Sequence, residues 1–489
     1  MSSYLTTAAR SAKAIGVENI SFSEDNLTWT RTGTSESASR HELVLIREIA
    51  SSGADSPSQY LLFILKEDSE KKDAPFHLSI LKADKIPSEF RSIAITSLPP
   101  HLQHGSTTEH GITNQVDVIV SVKSGVGLAP RFWEDVLCPL WESFTDGGSG
   151  ESQYRLIQTE SPETIKDYAQ NLWTSDERVK ARTVVLLSGD GGVVDLLNGS
   201  DGNELSEIPP TIALVPLGTG NALFHSTHKP LYTEPGPTPL VLALRTLLHG
   251  VSADLPIFRA SFSPGSHIVK FTDKSRDTSS TNDPDQLQKE ETSITHLQGA
   301  IVASYGFHAS IVYESDTPEY RVHGDKRFRM VAEGLLKESH PYAAKVSIRR
   351  RGSTAFEDIP RETHAYVLTS LVSNLERKFT ISPATRPLQS QLRLVHFGPI
   401  GGERTMSVMM KAYDEGSHVG MNWPDGEQVG YDEVDEVRVS VLEEDERWRK
   451  VCIDGTIVEI PQRGSMSIKM LGHSLFKILA SPRILEGRS

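Results

Sequence analysis

Apolar and polar positions follow three different rhythms along this 489-residue chain. Near the N-terminus, "HELVLIREI", "YLLFILKE" and "FHLSILKA" are short apolar runs divided by Ser-rich and charged turns, which is the pattern of strands. They predict a small β-rich module over residues 1–112. "TSLPPHLQHGSTTEHGITNQ" brings Pro, His and Gly without periodicity and reads as its linker. From Val116 the rhythm changes to strand, helix, strand, helix. "VDVIVSV", "YRLIQTE", "TVVLLSG" and "TIALVPLG" are strands, and "APRFWEDVLCPLWESF", "SPETIKDYAQNLW", "GVVDLLNG" and "PLVLALRTLLHG" are helices. Such alternation predicts an α/β domain over 113–250, a parallel sheet covered by helices on both faces. Beyond Val251 strands dominate, from "PIFRASFS" to "RKVCIDGTIVEI", with one helical stretch around Phe328 to Ser339. An all-β domain over 251–489 follows, and its polar stretch 273–296 is expected to be a disordered insertion.

Charge narrows the partners. The formal net charge of -14 argues against nucleic acid, because binding phosphodiesters needs a basic face. One basic run, "KVSIRRRG" from Lys345, offers contact with anionic lipid or a solvated strand end. Two cysteines, Cys138 and Cys452, are too few for a disulfide framework and fit no zinc spacing, which points to a reducing, cytoplasmic setting. No run of 18 apolar residues occurs, so the expected association with membranes is peripheral.

Candidate chemistry gathers where the α/β strands end. Three glycine turns fall there: "SVKSGVG" at 121–127, "SGDGG" at 188–192 and "PLGTGNAL" at 216–223. Ligands of open α/β sheets bind along that edge, and successive backbone N–H groups leading into a helix favour phosphate. The turns lack the Gly-Lys-Ser/Thr of a P-loop and the complete dinucleotide fingerprint. Asp190, set between glycines, is a candidate general base, or else a helix cap.

The order and content of these turns resemble the diacylglycerol kinase catalytic-domain family of lipid kinases, and its sphingosine and ceramide kinase branch in particular. The resemblance implies a Rossmann-like nucleotide domain followed by a β-sandwich lipid domain, with ATP and Mg²⁺ used to phosphorylate a lipid hydroxyl between them. It assigns Asp190 as catalytic base. It places Ser121, Lys123, Gly125, Thr159, Ser188, Gly189, Gly191, Asp195, Gly218, Thr219, Gly220 and Asn221 around the nucleotide. In "YGFHASIVYESDTPEYRVHGDKRFRM", Arg321 and Arg327 take the places of phosphate-binding arginines, and Asp454 and Gly455 those of a closing Asp-Gly-Glu turn. The chain departs from the family at Ser121 and Val122, where it has Asn and Pro, and at Thr456, where it has Glu. An intact "DGE" at Asp425 to Glu427 sits too early to replace it. The segment "HASIV", where sphingosine kinases carry an acid for the sphingoid amine, has no carboxylate before Glu314, which is consistent with ceramide or diacylglycerol as acceptor. The departures leave open a degenerate kinase fold acting as a lipid-binding scaffold, and the Gly-Asp-Gly turn is also shared by NAD kinases.

Overall fold

The central strands Asn114–Val120, Ala181–Ser188 and Thr211–Pro216 are largely apolar and buried because both of their faces are covered. They pair in parallel, as alternation with helices requires. In the computed structural model, which describes residues 14–23, 25–49, 58–68, 70–71, 74–107, 111–144, 153–173, 180–199, 208–272, 288–323 and 326–486, they form the middle of a six-stranded sheet. Arg155–Gln158 lies at one edge. This strand is mostly exposed, three of its four residues facing solvent, and is not held by packing alone. The fully buried Asp117 fastens it, accepting from Arg155 Nε at 2.8 Å and from the Tyr168 hydroxyl at 2.6 Å while pairing with Arg182. At the other side Lys477–Ala480 adds in parallel beside Thr211–Pro216, and Val251–Asp254 closes the edge antiparallel to it.

Two helices differ locally from expectation. The run opening at Pro130 is interrupted by a π-helical turn, Trp133–Leu137, in which Cys138 N–H donates to Trp133 O. Pro139, which follows directly, has no N–H to continue the ordinary ladder. The helix expected over "SPETIKDYAQNLW", from Ser161, starts at Thr164 instead. Ser161 closes a turn before it, its hydroxyl accepting from Glu163 N–H.

The boundaries read from sequence need correction. Lys477–Ala480, inside the β domain expected over 251–489, belongs to the α/β sheet, as does Val251–Asp254 at that domain's start. A four-residue apolar run carries no mark of which sheet it will join. The segment 273–296 is likewise not wholly irregular: Gln288–Ser293 is a strand paired with His267–Thr272 along six residues, while 273–287 lies outside the described residues.

The remaining strands after Phe258 form one continuous hydrogen-bonded ladder, fourteen strands among the described residues, in place of two separate sheets. It curls so that His296–Gly299, at one end, comes against Lys450–Ile453 near the other. The helices Phe307–Ser315, Lys326–Glu338 and Gly402–Ala412 pack on it. The basic run is neutralised within this sheet. Arg349 pairs with Asp435 and Glu436, Arg350 with Asp432 and Glu357, and Arg351 with Glu433. Both cysteines are buried and unpaired. Among the described residues, no helix is long and apolar enough to cross a membrane.

The described residues within 15–83 form two further sheets, one of four strands and one of three, and include no long helix. Strand Gln59–Glu67 is apolar on both faces for a reason visible only in three dimensions. Tyr60, Leu62 and Ile64 fill the module's own core, while Leu61, Phe63 and Leu65 join Phe132, Trp133 and Leu140 of the α/β domain.

Candidate active site

The three glycine turns come together at the C-terminal edge of the parallel sheet and pack backbone against backbone. A Cβ on Gly189 would lie 2.8 Å from Gly218 Cα, and one on Gly218 would overlap Gly189. Gly125, at φ +56°, has Leu217 O only 2.6 Å from where its Cβ would stand. Hydrogen bonds bind the same three turns. Ser121 N–H donates to Leu187 O at 3.0 Å, Gly189 N–H to Ser124 Oγ at 2.9 Å, and Leu217 N–H to Ser188 O at 3.1 Å. Thr159 belongs to this frame, its hydroxyl accepting from Val122 N–H at 3.0 Å. Ser188 is buried, with its hydroxyl under Gly192 of the following helix.

Asn221 folds the third turn upon itself. It sits in the left-handed region at φ +53°, its Oδ1 accepts from Gly218 N–H at 3.0 Å, and its Nδ2 donates to Gly218 O at 2.7 Å. The side chain is therefore committed to the loop, and so is the Gly218 N–H. Among the described residues the N–H groups of Thr219, Gly220 and Asn221 have no protein acceptor, which leaves three successive donors at the start of helix Ala222–His228.

Asp190 opens helix Asp190–Leu197 and reaches across to the next one. Its carboxylate accepts from Ala222 N–H at 2.6 Å and Leu223 N–H at 3.1 Å, so it caps a helix, though not its own. Burial pushes its pKa up to about 6 against the pull of those two donors. Its neighbour is Asp454. The Asp454-Gly455 pair, both at positive φ, makes the two-residue turn between strands Lys450–Ile453 and Thr456–Glu459. The Asp454 carboxylate accepts from the N–H groups of Ala300 (2.6 Å), Ile301 (3.1 Å) and Val302 (2.6 Å). Burial raises its pKa to about 7, those amides oppose the shift, and the charge of Asp190 adds to it. The two domains thus bring Asp190 and Asp454 near enough for the charge of one to act on the other. Asp425 is elsewhere, exposed and ion-paired with Arg404.

The other expected residues divide. Lys123 is exposed in the first turn, Gly191 has open space where a Cβ would stand, and a Cβ on Gly220 would touch the Asp190 carboxylate at 3.7 Å and Leu375 O at 3.8 Å. Asp195 lies one turn along the helix from Gly191, its pKa pushed up to about 6 by burial with Lys270 and Lys166 pulling back. Arg321 and Arg327 instead converge on Asp316, Arg321 through a two-point contact at 2.8 and 3.1 Å and Arg327 at 3.9 Å. No hydrogen bond or ion pair joins either arginine to the turns among the described residues. Sequence reasoning missed Ser124 and the amides of residues 222–223 and 300–302. Ser124 was within the quoted turn, whereas main-chain donors have no residue-type signal.

Residues 115–254 match the family model of the diacylglycerol kinase catalytic domain. No curated relative matches the chain. Among solved structures, a diacylglycerol kinase from Bacillus anthracis str. Sterne is similar at 14% identity, over 76% of this chain and 98% of that one, with a TM-score of 0.45. A putative diacylglycerol kinase from the same organism is similar at 15% identity over the same shares, with a TM-score of 0.46.

Proposed function

From the diacylglycerol kinase catalytic domain that residues 115–254 carry, we propose that this protein transfers the γ-phosphoryl group of ATP to the hydroxyl of a lipid. The observation that carries the proposal is the meeting of Asp190 with three unpartnered backbone donors at Thr219 to Asn221, on a frame of mutually packed glycines. Turn donors of this kind hold phosphate oxygens in place, and positioning with charge stabilisation supplies most of the catalysis in phosphoryl transfer.

In the proposed step the lipid hydroxyl oxygen forms a bond to the γ-phosphorus, the bond from that phosphorus to the β,γ-bridging oxygen breaks, and ADP leaves. Asp190 accepts the hydroxyl proton, and a carboxyl held near 6 is ionised enough at neutral pH to do so. Two carboxylates close enough to repel also suit a Mg²⁺–nucleotide complex, since positive charge would relieve that repulsion. Mg²⁺ would offset the charge on the phosphates. Among the described residues no group of three or more acidic, His or Cys side chains is placed to hold a metal ion, so the phosphates themselves would supply most of the ligands. Lys123 is free to reach the phosphates. Arg321 and Arg327 would have to exchange Asp316 for them.

A neutral acceptor fits best. At the start of helix Phe307–Ser315, His308 is kept neutral by burial, which pushes its pKa down to about 4, and Ser310 accepts from the Tyr342 hydroxyl. Glu314 is tied to Arg447. Nothing there would hold a sphingoid ammonium, which favours ceramide or diacylglycerol. One observation supports the scaffold alternative: both oxygens of Asp190 are already engaged by amides.

Transfer from γ-labelled ATP to diacylglycerol, ceramide and sphingosine tests the reading. Labelled diacylglycerol or ceramide is expected, and Asp190→Asn is expected to lower the rate by about two to four orders of magnitude. Equal transfer by the variant would remove Asp190 from the mechanism. Absent ATP binding by calorimetry would favour the scaffold.

A further inference from the structure

Away from the turns, a cavity of about 860 Å³ opens where the N-terminal module meets the α/β domain. Its volume is that of a small-molecule site. Three arginines from three distant parts of the sequence line it: Arg40 beside the module's strand Leu43–Ile49, Arg245 on helix Pro239–His249, and Arg483 near the C-terminus. No carboxylate is among the lining residues. In a chain of net charge -14 whose other strand-end arginines are matched by acids, such a cluster is out of character.

The arginines are close enough to oppose one another. Arg245 is half-buried and spends its N–H groups on neutral carbonyls, Leu43 O at 2.6 Å and Arg40 O and His41 O at 3.3 and 3.4 Å. Its pKa is pushed down to about 10 by burial and by the charges of Arg40 and Arg483. Arg40 and Arg483 are exposed and have no ion-pair partner among the described residues. Hydrocarbon stands beside the charge: Phe90, Leu231 and Leu242 line the same cavity, and Ile93 does so while 49% exposed.

We infer that this cavity binds a phosphate-bearing amphiphile, its phosphate among Arg40, Arg245 and Arg483 and its chain against Phe90, Ile93 and Leu231. Guanidinium groups match phosphate oxygens in geometry as well as charge. The site is separate from the transfer centre, so it does not depend on the protein being a lipid kinase.

Calorimetry on the full chain, without nucleotide, tests this with dihexanoyl phosphatidic acid below its micelle concentration. Binding is expected to the native chain and to Asp190→Asn, and to weaken by about tenfold or more in Arg40→Ala/Arg483→Ala, because each lost charged hydrogen bond is of that order. Both arginines are exposed, so melting should be unchanged, and Arg483→Gln alone should give an intermediate loss. Dihexanoylglycerol, which lacks phosphate, and glycerol 3-phosphate, which lacks chains, should bind at least as weakly as the double variant binds the phosphatidic acid. Four results would overturn the inference. These are no binding to the native chain, undiminished binding to the double variant, equal binding of dihexanoylglycerol (an apolar cleft only), and equal binding of glycerol 3-phosphate (a free-phosphate site).

Discussion

Gly189 and Gly191 flank the same aspartate for different reasons. Gly189 lies against Gly218, where a methyl group would press on backbone that has no side chain to swing aside. Gly191 faces open space within the first turn of its helix. Gly189→Ala is therefore expected to cost about 1–3 kcal/mol of stability through overpacking. Gly191→Ala should hold stability or raise it by up to about 1 kcal/mol, while raising the KM for ATP several-fold. Thermal melting beside ATP kinetics separates the two, and equal melting temperatures for both variants would count against the packing role of Gly189. The glycines were legible in the sequence, but not this division, since spacing cannot tell a glycine that packs on another turn from one that faces the cleft. Asp190 and Asp454 add a pH dependence. The rate should rise with pH through an apparent value near 6 as Asp190 ionises. For stability the sign is opposite. Both folded-state values are raised, so the contribution is complete below about pH 4 and is lost as pH rises through about 6 for Asp190 and about 7 for Asp454. Melting should show the native chain losing stability relative to Asp454→Asn between about pH 4 and pH 7. Parallel curves would contradict a buried charge at Asp454.

At the scale of elements, the turn before helix Ala222–His228 depends on one side chain. Asn221 supplies both the left-handed conformation and the two bonds to Gly218. Asn221→Gly would keep the first and lose the second, whereas Asn221→Ala would lose both. The alanine variant should therefore be less stable than the glycine variant by about 1–2 kcal/mol. Both should raise the KM for ATP, because the donors at Thr219 to Asn221 would no longer be preset. Denaturant titration of the two variants checks the order, and a glycine variant no more stable than alanine would refute the left-handed requirement. That helix and Phe307–Ser315 were not anticipated, and their composition explains why. "ALFHSTH" is short and buried at every position, and "FHASIVYES" mixes aromatic and β-branched residues without a polar stripe, so neither shows helical periodicity. The polar strand Thr34–Ser39 escaped for the converse reason, having only Ala38 buried. The central strands were legible because burial on both faces leaves mostly apolar runs, such as VVLL at 184–187.

At the scale of the whole molecule, the cut after residue 112 separates two bodies that share a core. Phe76 stacks edge-on against Phe132 at 5.1 Å, and Val44, Phe63, Leu65 and Ile80 join the same cluster as Trp133, Val136 and Leu244. The segment expected to be a linker is itself packed, with Leu98 and Leu102 buried and His101 Nε2 within 2.8 Å of Leu247 O. Pro, His and Gly marked irregular backbone correctly, but irregular backbone is not the same as a free tether. A chain beginning at residue 113 would expose the faces of the helices that now cover Phe63 and Phe76, an apolar patch well beyond what soluble monomers usually show. It is expected to aggregate on expression, and the full chain to unfold its module and α/β domain in one calorimetric transition, because neither can open without exposing that shared cluster. Two resolved transitions, or a soluble and active chain from residue 113, would mean that the cluster contributes little. The arginine-lined cavity lies along this same seam, with Arg40 on the module and Arg245 and Arg483 on the other side. A phosphate there would draw the two halves together, so a bound amphiphile should raise the temperature of that single transition in the native chain and leave it unmoved in Arg40→Ala/Arg483→Ala.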